Sequence, residues 1–520
     1  MNRLILGDNL EIMKTLESES VDLIYLDPPF FSNRNYEIIW GDAGEIRSFQ
    51  DRWAGGIDHY IAWLKERVEQ MYRVLKKTGS IFLHCDWHAS AYIRVEILDK
   101  IFGIKNFRNE IVWHYTGWNK KLSDTFEKRH DVIYFYAKKS NATKFNGYSK
   151  KWESEEEYIK KRKQKVHKDR HGAYVLSDGG NGQRVKRYIK EAMEYGSPVD
   201  DVWEFDKINN SSKERIGYPT QKPEALLERI IKCASNEGDV VLDPFMGGGT
   251  TAAVADKLKR KWIGIDQSTM AVKVTEMRLD NQRNLFSAPF SVQLHKYDYD
   301  TLRYSDALEF ESWIVRQFGG EPNERQRGDF GLDGRAEDGA PIQVKRSDGV
   351  GRNVVDNFKS AVERADKKLY RKNIKDKNPV GYIIAFSFGK GTIEEAARLK
   401  NREGVIIRLV RVDEIVPIAT RPTAKIEMKE LERDAKGNCK IEFFISSKSK
   451  TGVELYSWDF DYDAEKGFKA SVMIDKEGRQ IHTFKAGVHT VAVKVIDNDG
   501  LESIETVKLS VNGVVEKLEQ

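Results

Sequence analysis

Leu23-Ile24-Tyr25-Leu26-Asp27-Pro28-Pro29-Phe30 is an apolar run cut short by an acid, two prolines and an aromatic ring. From Val21 to Leu26 the residues are partly β-branched or aromatic and end at a breaker, the pattern of a short parallel strand covered on both faces. Proline has no N–H with which to continue a ladder. The double proline therefore ends the strand and leaves the carbonyls of Asp27 and Pro28 free to accept hydrogen bonds from something else. A donor-rich ligand is the natural partner, and a plain strand-ending turn is the alternative reading.

Working outward, Leu4 to Asp8 reads as a strand closed by a Gly-Asp turn, and Ile12, Met13 and Leu16 follow on a helix. Ile61, Leu64, Val68, Met71 and Leu75 recur at helical intervals, Gly79 stands where a helix would cap, and Ser80 to His84 reads as a strand. This alternation predicts a parallel α/β sheet. The same pattern returns late in the chain. Tyr218-Pro219-Thr220-Gln221-Lys222-Pro223 leads into a helix ending near Cys233, and Asp239 to Asp243 reads as a strand followed by Pro244-Phe245-Met246-Gly247-Gly248-Gly249-Thr250-Thr251. Glycines there allow backbone to approach a ligand closely, yet the run is neither Gly-x-Gly-x-x-Gly nor a P-loop. A strand over Trp262 to Ile265 ends in Asp266, 23 residues after Asp243, and an acid at that spacing grips ribose hydroxyls in nucleoside-binding α/β folds.

An exocyclic amino group of a base is one such donor-rich ligand. Its nitrogen is a poor nucleophile because the lone pair is delocalised. Hydrogen bonds from its N–H groups to Asp27 and the Pro28 carbonyl would draw it toward tetrahedral geometry, with Phe30 stacked on a base that has left the duplex. Asp-Pro-Pro-Phe, then an insertion, then Thr-Gln-Lys-Pro and Asp-Pro-Phe-x-Gly-Gly-Gly-Thr-Thr, in that order, resemble a β-type adenine-N6 DNA methyltransferase over residues 1–290. Phe82 to Asp86, Asn109 to Trp113 and His130 to Tyr136 are similar to the later strands of these enzymes. The resemblance implies a Rossmann-like S-adenosylmethionine-dependent sheet, with Asp27, Pro28, Pro29 and Phe30 catalytic. It implies cofactor contacts from Asp243, Pro244, Phe245, Gly247, Gly249, Thr250 and Asp266, with Gln221 and Lys222 beside the methionine end. Asp8 would lie near the cofactor's adenine; a helix N-cap is its other reading. Double-stranded DNA is the implied partner, and a homodimer the implied assembly. Cytosine-N4 methylation is the rival within the chemistry, and a DNA-binding module with inactive catalytic domains the rival outside it.

Within the expected insertion, residues 113–218, Lys160 to Lys190 holds eleven Lys or Arg against Asp169 and Asp178, interleaved with Tyr174, Tyr188, His167 and His171. That density favours contact with phosphates over a solvated helix face. Asp178 to Gly182 reads as a flexible loop inside it. For the whole 520-residue chain the net charge is only +5 with 32% charged residues. No apolar run approaches a membrane span and no signal peptide is legible, so a cytoplasmic setting is expected. Cys85, Cys233 and Cys439 show neither a disulfide framework nor zinc spacing, and none follows a proline, which argues against a cytosine-C5 enzyme.

After a polar break a second α/β unit is expected over 300–418, with Glu311, Trp313, Ile314 and Phe318 on a helix. Gly328-Asp329-Phe330-Gly331-Leu332-Asp333-Gly334 and Ile342-Gln343-Val344-Lys345 resemble the Mrr-type branch of the PD-(D/E)xK nucleases. That resemblance implies a divalent ion, Mg2+, on Asp333, with Gln343 near it and Lys345 orienting water. A chance hairpin and an inactive nuclease fold that binds DNA remain the alternatives. From 424 to 514 alternating strands around Tyr456-Ser457-Trp458-Asp459-Phe460, His482-Thr483-Phe484 and Asp497-Asn498-Asp499-Gly500 resemble a PKD-like immunoglobulin sandwich. Its Asp residues read as turn formers before calcium ligands.

Overall fold

The computed structural model of the chain describes residues 2–31, 56–117, 125–180, 182–209, 211–283, 287–294, 296–304, 306–323, 331–435, 437–512 and 514–518. It divides into two units, Met1–Gln293 and Leu294–Gln520. The first is built on β1 (Asn2–Leu6), α1 (Asn9–Thr15), β2 (Val21–Leu26), α2 (Gly56–Val74), β3 (Leu75–Cys85), β4 (Phe107–His114) and β5 (His130–Ala137). These are followed by β6 (Val166–Asp169), β7 (Gly172–Asp178), β8 (Arg184–Tyr188), β9 (Val202–Glu204), α3 (Glu224–Ala234), β10 (Val240–Asp243), α4 (Thr250–Lys257), β11 (Lys261–Asp266), α5 (Thr269–Gln282) and β12 (Phe290–Gln293).

Nine strands form one sheet in the order β9-β4-β5-β3-β2-β10-β11-β1-β12. Every neighbouring pair is parallel except the two that involve β5. All six residues of β2 are buried, as the apolar run predicts. The acid within it, Asp22, is balanced locally. Burial pushes its pKa up, but hydrogen bonds from Lys76 Nζ (2.7 Å) and Val240 N (3.0 Å), with the Lys76 and Lys144 charges, hold it below the usual carboxylate range. This acid thereby ties β2 to β10.

Two boundaries differ from the sequence reading. Helix α2 ends at Val74 and β3 begins directly at Leu75, so Gly79 is not a helix cap. The ladder jumps from Val21↔Leu75 to Leu23↔Ser80, and a Cβ on Gly79 would lie 2.8 Å from the Asp22 carbonyl; glycine admits this close approach. Second, β5 lies inside the sheet between β3 and β4, so the segment that leaves the sheet is shorter than 113–218. It runs from the end of β5 to β9, which returns beside β4. This excursion carries an antiparallel sheet, β6-β7-β8, on a small core of Tyr158, Val175 and Ile189.

In the second unit, strands Glu321–Pro322, Gly334–Arg335, Pro341–Lys345, Gly381–Ala385 and Ile407–Arg411 form one mixed sheet in that order. Alternate residues feed two cores. Ile342, Val344 and Ile384 pack with Phe310 and Ile314, whereas Ile383 packs with Val355, Phe358 and Leu399. From Thr423 on, the described strands form a three-stranded and a five-stranded sheet that share one core of Ile441, Phe443, Trp458, Val493 and Leu509. Trp458 is fully buried, and its indole N–H donates to Asp475 at 2.7 Å. The three cysteines are buried and unpaired by disulfides. Among the described residues no helix is long and apolar enough to cross a membrane.

Candidate active site

From β2 the chain proceeds to β3 on one side, and from β10 to β11 on the other, so β2 and β10 meet at a switch point where a crevice opens beyond the strand ends. The carboxyl ends of β1, β2, β10 and β11 deliver Asp8, Asp27, Asp243 and Asp266 into one cleft of about 750 Å3. Pro28, Pro29, Phe30, Gln221, Lys222, Pro244, Phe245, Gly247 and Thr250 line it too. Of the residues expected at the catalytic and cofactor positions, only Gly249 is not on the wall; it shapes the turn. Its φ is +72°, and a Cβ there would lie 2.4 Å from the Thr275 hydroxyl oxygen.

Asp27 sits at the crevice with one oxygen paired to Lys222 Nζ. Its other oxygen, Oδ1, is buried and has no hydrogen-bond partner among the described residues; His84 Nδ1 lies 3.5 Å away. The Phe30 ring stands beside it, 5.6 Å from the His84 ring. A buried acceptor without a donor is costly unless a ligand completes it.

On the other wall, Asp243 accepts from the Thr251 hydroxyl at 2.5 Å and from Phe245 N at 3.0 Å. Burial pushes its pKa up to about 7 despite those bonds. Asp266 accepts from Gly247 N and Ser268 N, both at 2.8 Å, and burial raises its pKa as well. A buried acid and a half-buried one at the lip of a glycine turn favour a cationic, hydroxyl-bearing occupant. The turn is clamped from behind, because buried Arg278 donates to Gly248 O (2.9 Å), Thr250 Oγ1 (3.0 Å) and Glu224 Oε1 (2.7 Å).

Asp8 is a helix N-cap on the cleft wall. Its Oδ1 caps α1 by accepting from Leu10 N at 2.8 Å, and its Oδ2 pairs with Arg67 at 2.8 Å on the cleft wall. Gln221 lines the cleft and also holds the loop before it. Its amide accepts from Ile216 N at 3.0 Å and donates to Glu214 O at 2.6 Å, so it shapes the preceding loop.

Several wall residues were not singled out from sequence. Arg67 is stacked 4.3 Å over the Trp63 ring, and Trp63 faces Phe245 with ring centroids 5.7 Å apart. The signal was present: Arg67 lies on the same helical stripe as Tyr60, Leu64 and Met71, where a charge needs a reason. His84 and Asp131, beneath Asp27, gave no comparable sign.

In the second unit, Asp333 Oδ2 accepts from Val344 N at 2.6 Å, and Gln343 Nε2 donates to Gly331 O at 2.7 Å. Asp333, Gln343 and Lys345 are thus brought together on adjoining segments, and buried Gln343 Oε1 has no hydrogen-bond partner among the described residues. Gly328, Asp329 and Phe330, and Asn181 of the insertion loop, lie outside the described residues. Among the described residues no three His, Cys, Asp or Glu gather as a metal site. Mg2+ keeps several of its waters, so Asp333 would suffice as its carboxylate, and Gln343 in place of a second acid weakens that set.

Residues 21–277 match the family described as DNA methylase. The type II methyltransferase M.HpaI of Haemophilus parainfluenzae is 32% identical over 286 residues, covering 55% of this chain and 76% of that protein. The DNA adenine methyltransferase YhdJ of Escherichia coli (strain K12) is 32% identical over 280 residues, covering 53% of this chain and 82% of that protein. Among solved structures, TTHA0409 of Thermus thermophilus, complexed with S-adenosyl-L-methionine, is 19% identical at a TM-score of 0.34, over 56% of this chain and 98% of that one. The PvuII DNA methyltransferase (cytosine-N4-specific) is 15% identical at 0.36, over 55% and 89%.

Proposed function

Because the chain belongs to the DNA methylase family, we propose that its first 290 residues are a site-specific DNA methyltransferase, S-adenosylmethionine-dependent and acting on adenine N6, within a restriction-modification system. The observation that carries this is Asp27: a carboxylate at the switch-point crevice, its Oδ1 buried and unfilled, with Pro28 and Phe30 beside it. Across the cleft stand the buried Asp243, the half-buried Asp266 and a clamped glycine turn, the chemistry a cationic nucleoside calls for. S-adenosylmethionine supplies an electrophilic methyl group on sulfonium. The chain's own part is to hold and orient. Asp266 is assigned to the ribose hydroxyls, and Asp243, Phe245, Gly247 and Thr250 to the rest of the cofactor. Lys222 lies at its methionine end, with Gln221 shaping the loop there.

Asp27 and the Pro28 carbonyl take the amino N–H groups while Phe30 stacks on the base. Proximity of methyl and nitrogen then supplies much of the acceleration. The basic β6-β7-β8 sheet is assigned to duplex DNA. A homodimer and a cytoplasmic setting belong to the same reading. Adenine is favoured over cytosine by Asp-Pro-Pro-Phe and by the name of the Escherichia coli relative. Mass spectrometry of nucleosides from DNA treated with protein and methyl donor is expected to show N6-methyladenine; N4-methylcytosine alone would reverse the assignment.

For the second unit the reading is an Mrr-type, nuclease-like domain over 300–418 and a PKD-like sandwich over 424–514. Support for the former is the mixed sheet that joins Asp333 to Gln343 and Lys345. Gln343 in place of an acid weakens the metal shell, so no cleavage step is derived and the domain is assigned to DNA binding. Incubation with magnesium on matched methylated and unmethylated DNA should leave both intact. Cleavage of either, lost in Lys345→Ala, would make it a working nuclease.

A further inference from the structure

Beneath Asp27 the protein buries a second titratable system that the scheme above leaves idle. His84, near the end of β3, has no exposed surface. Its Nδ1 lies 3.0 Å from the Tyr25 hydroxyl and 3.5 Å from Asp27 Oδ1, and its Nε2 lies 3.3 Å from Asp131 Oδ2. Asp131 Oδ1 accepts from the Tyr115 hydroxyl at 3.2 Å, and Tyr115 lines the cleft. The rings of Phe30 and Trp113 close over the imidazole at 5.6 and 5.5 Å. Two lysines flank the chain of groups: Lys222 pairs with the far oxygen of Asp27, and Lys207 rests 3.7 Å from the Tyr115 ring centroid.

Methyl transfer moves a charge. As the bond from nitrogen to methyl carbon forms, the bond from carbon to sulfur breaks, the sulfonium becomes a neutral thioether, and the nitrogen carries one proton too many. Asp27 is in place to receive that proton but is a weak base, and Lys222 already balances one of its oxygens. Burying an imidazole between two carboxylates is expensive unless the site must at some moment hold a cation.

We infer that His84, oriented by Asp131, is the relay residue that takes the surplus proton from Asp27 Oδ1 onto its own Nδ1. The positive charge that leaves the sulfonium then resides as imidazolium between Asp27 and Asp131, and the Tyr25 hydroxyl turns from donor to acceptor. When product leaves, the proton passes to water along the Asp131 and Tyr115 side of the cleft. Acting through Asp27, His84 is a positioning residue in this scheme.

The inference rests on Asp27 meeting the target amino group, and its test separates the two. Single-turnover methylation by the full chain is measured at saturating S-adenosylmethionine and duplex DNA, which removes the titration of Asp243 from the profile. His84→Gln is expected to lose about 100-fold in rate with cofactor and DNA affinity within about twofold. Its rate should lose the rise with pH that wild type shows. Asp131→Asn should lose about tenfold and shift the profile to lower pH, since imidazolium has lost a partner. A His84→Gln rate within about threefold of wild type, with an unchanged profile, overturns the relay. If His84→Gln neither melts cooperatively nor binds cofactor, Asp131→Asn decides, and an unshifted profile overturns it. Full activity in Asp27→Asn would sink the underlying reading instead; an inactive Asp27→Asn beside a normal His84→Gln sinks the relay alone.

Discussion

Asp27→Ala is expected to lose methyl transfer by at least about 1,000-fold, roughly 4 kcal/mol of transition-state stabilisation, while S-adenosylmethionine still binds within about threefold of wild type. The carboxylate stands at the end of β2, whereas the groups assigned to the cofactor stand on β10, β11 and the glycine turn. Removing it takes the acceptor from the amino group and leaves Lys222 without its partner, a change in charge at the reacting nitrogen. Isothermal titration with cofactor and single-turnover methylation read the two effects separately. Turnover at a tenth of wild type or better, a loss under about 1.4 kcal/mol, would mean that Asp27 is not the acceptor.

Asp266→Ala should behave in the opposite sense, weakening S-adenosylmethionine by about 30- to 100-fold, or 2 to 2.7 kcal/mol, with the rate at saturating cofactor nearly kept. Two losses combine. The hydroxyl-binding carboxylate goes, and so do the acceptors of Gly247 N and Ser268 N, which set the turn and the start of α5. Asp266→Asn, able to accept one of those bonds, should fall between. Titration of cofactor into the three proteins measures this, and equal affinity in Asp266→Ala would remove the ribose assignment.

How far the sequence could be read depended on whether a feature is local. Strand β2, the glycine turn and the acid ending β11 announce themselves because each is a contiguous pattern of burial followed by a breaker. Residues 113–218 could not be parted correctly, since β5 joins the sheet antiparallel between β3 and β4, a pairing without a local mark. Gly79 was misplaced because a glycine needed for close approach at an irregular ladder looks like one needed by a helix cap. The cleft residues that escaped notice, His84, Asp131 and Arg278, are polar groups whose partners lie on other elements. Their meaning comes from assembly: Arg278 reads as one more charge on α5 until Gly248, Thr250 and Glu224 are seen around it.

The place of β1 at the far side of this sheet bears on how the protein is made. Its neighbours are β11 and β12, with Leu4 beside Gly264 and Val292, and β2 meets β10 at Ile24 and Leu242. A chain leaving the ribosome therefore presents its first two strands long before it presents the strands that cover their open edges. Contacts so distant in sequence are slow to form because the loop must close before it is rewarded. Until about residue 266 has emerged, Asp27 has no opposing wall and the cleft does not exist. A complete cleft thus arrives late in synthesis, well after the strand that ends at Asp27 has been translated, and the unpaired edges of β1 and β2 in that interval are where nascent chains are most exposed to misassociation.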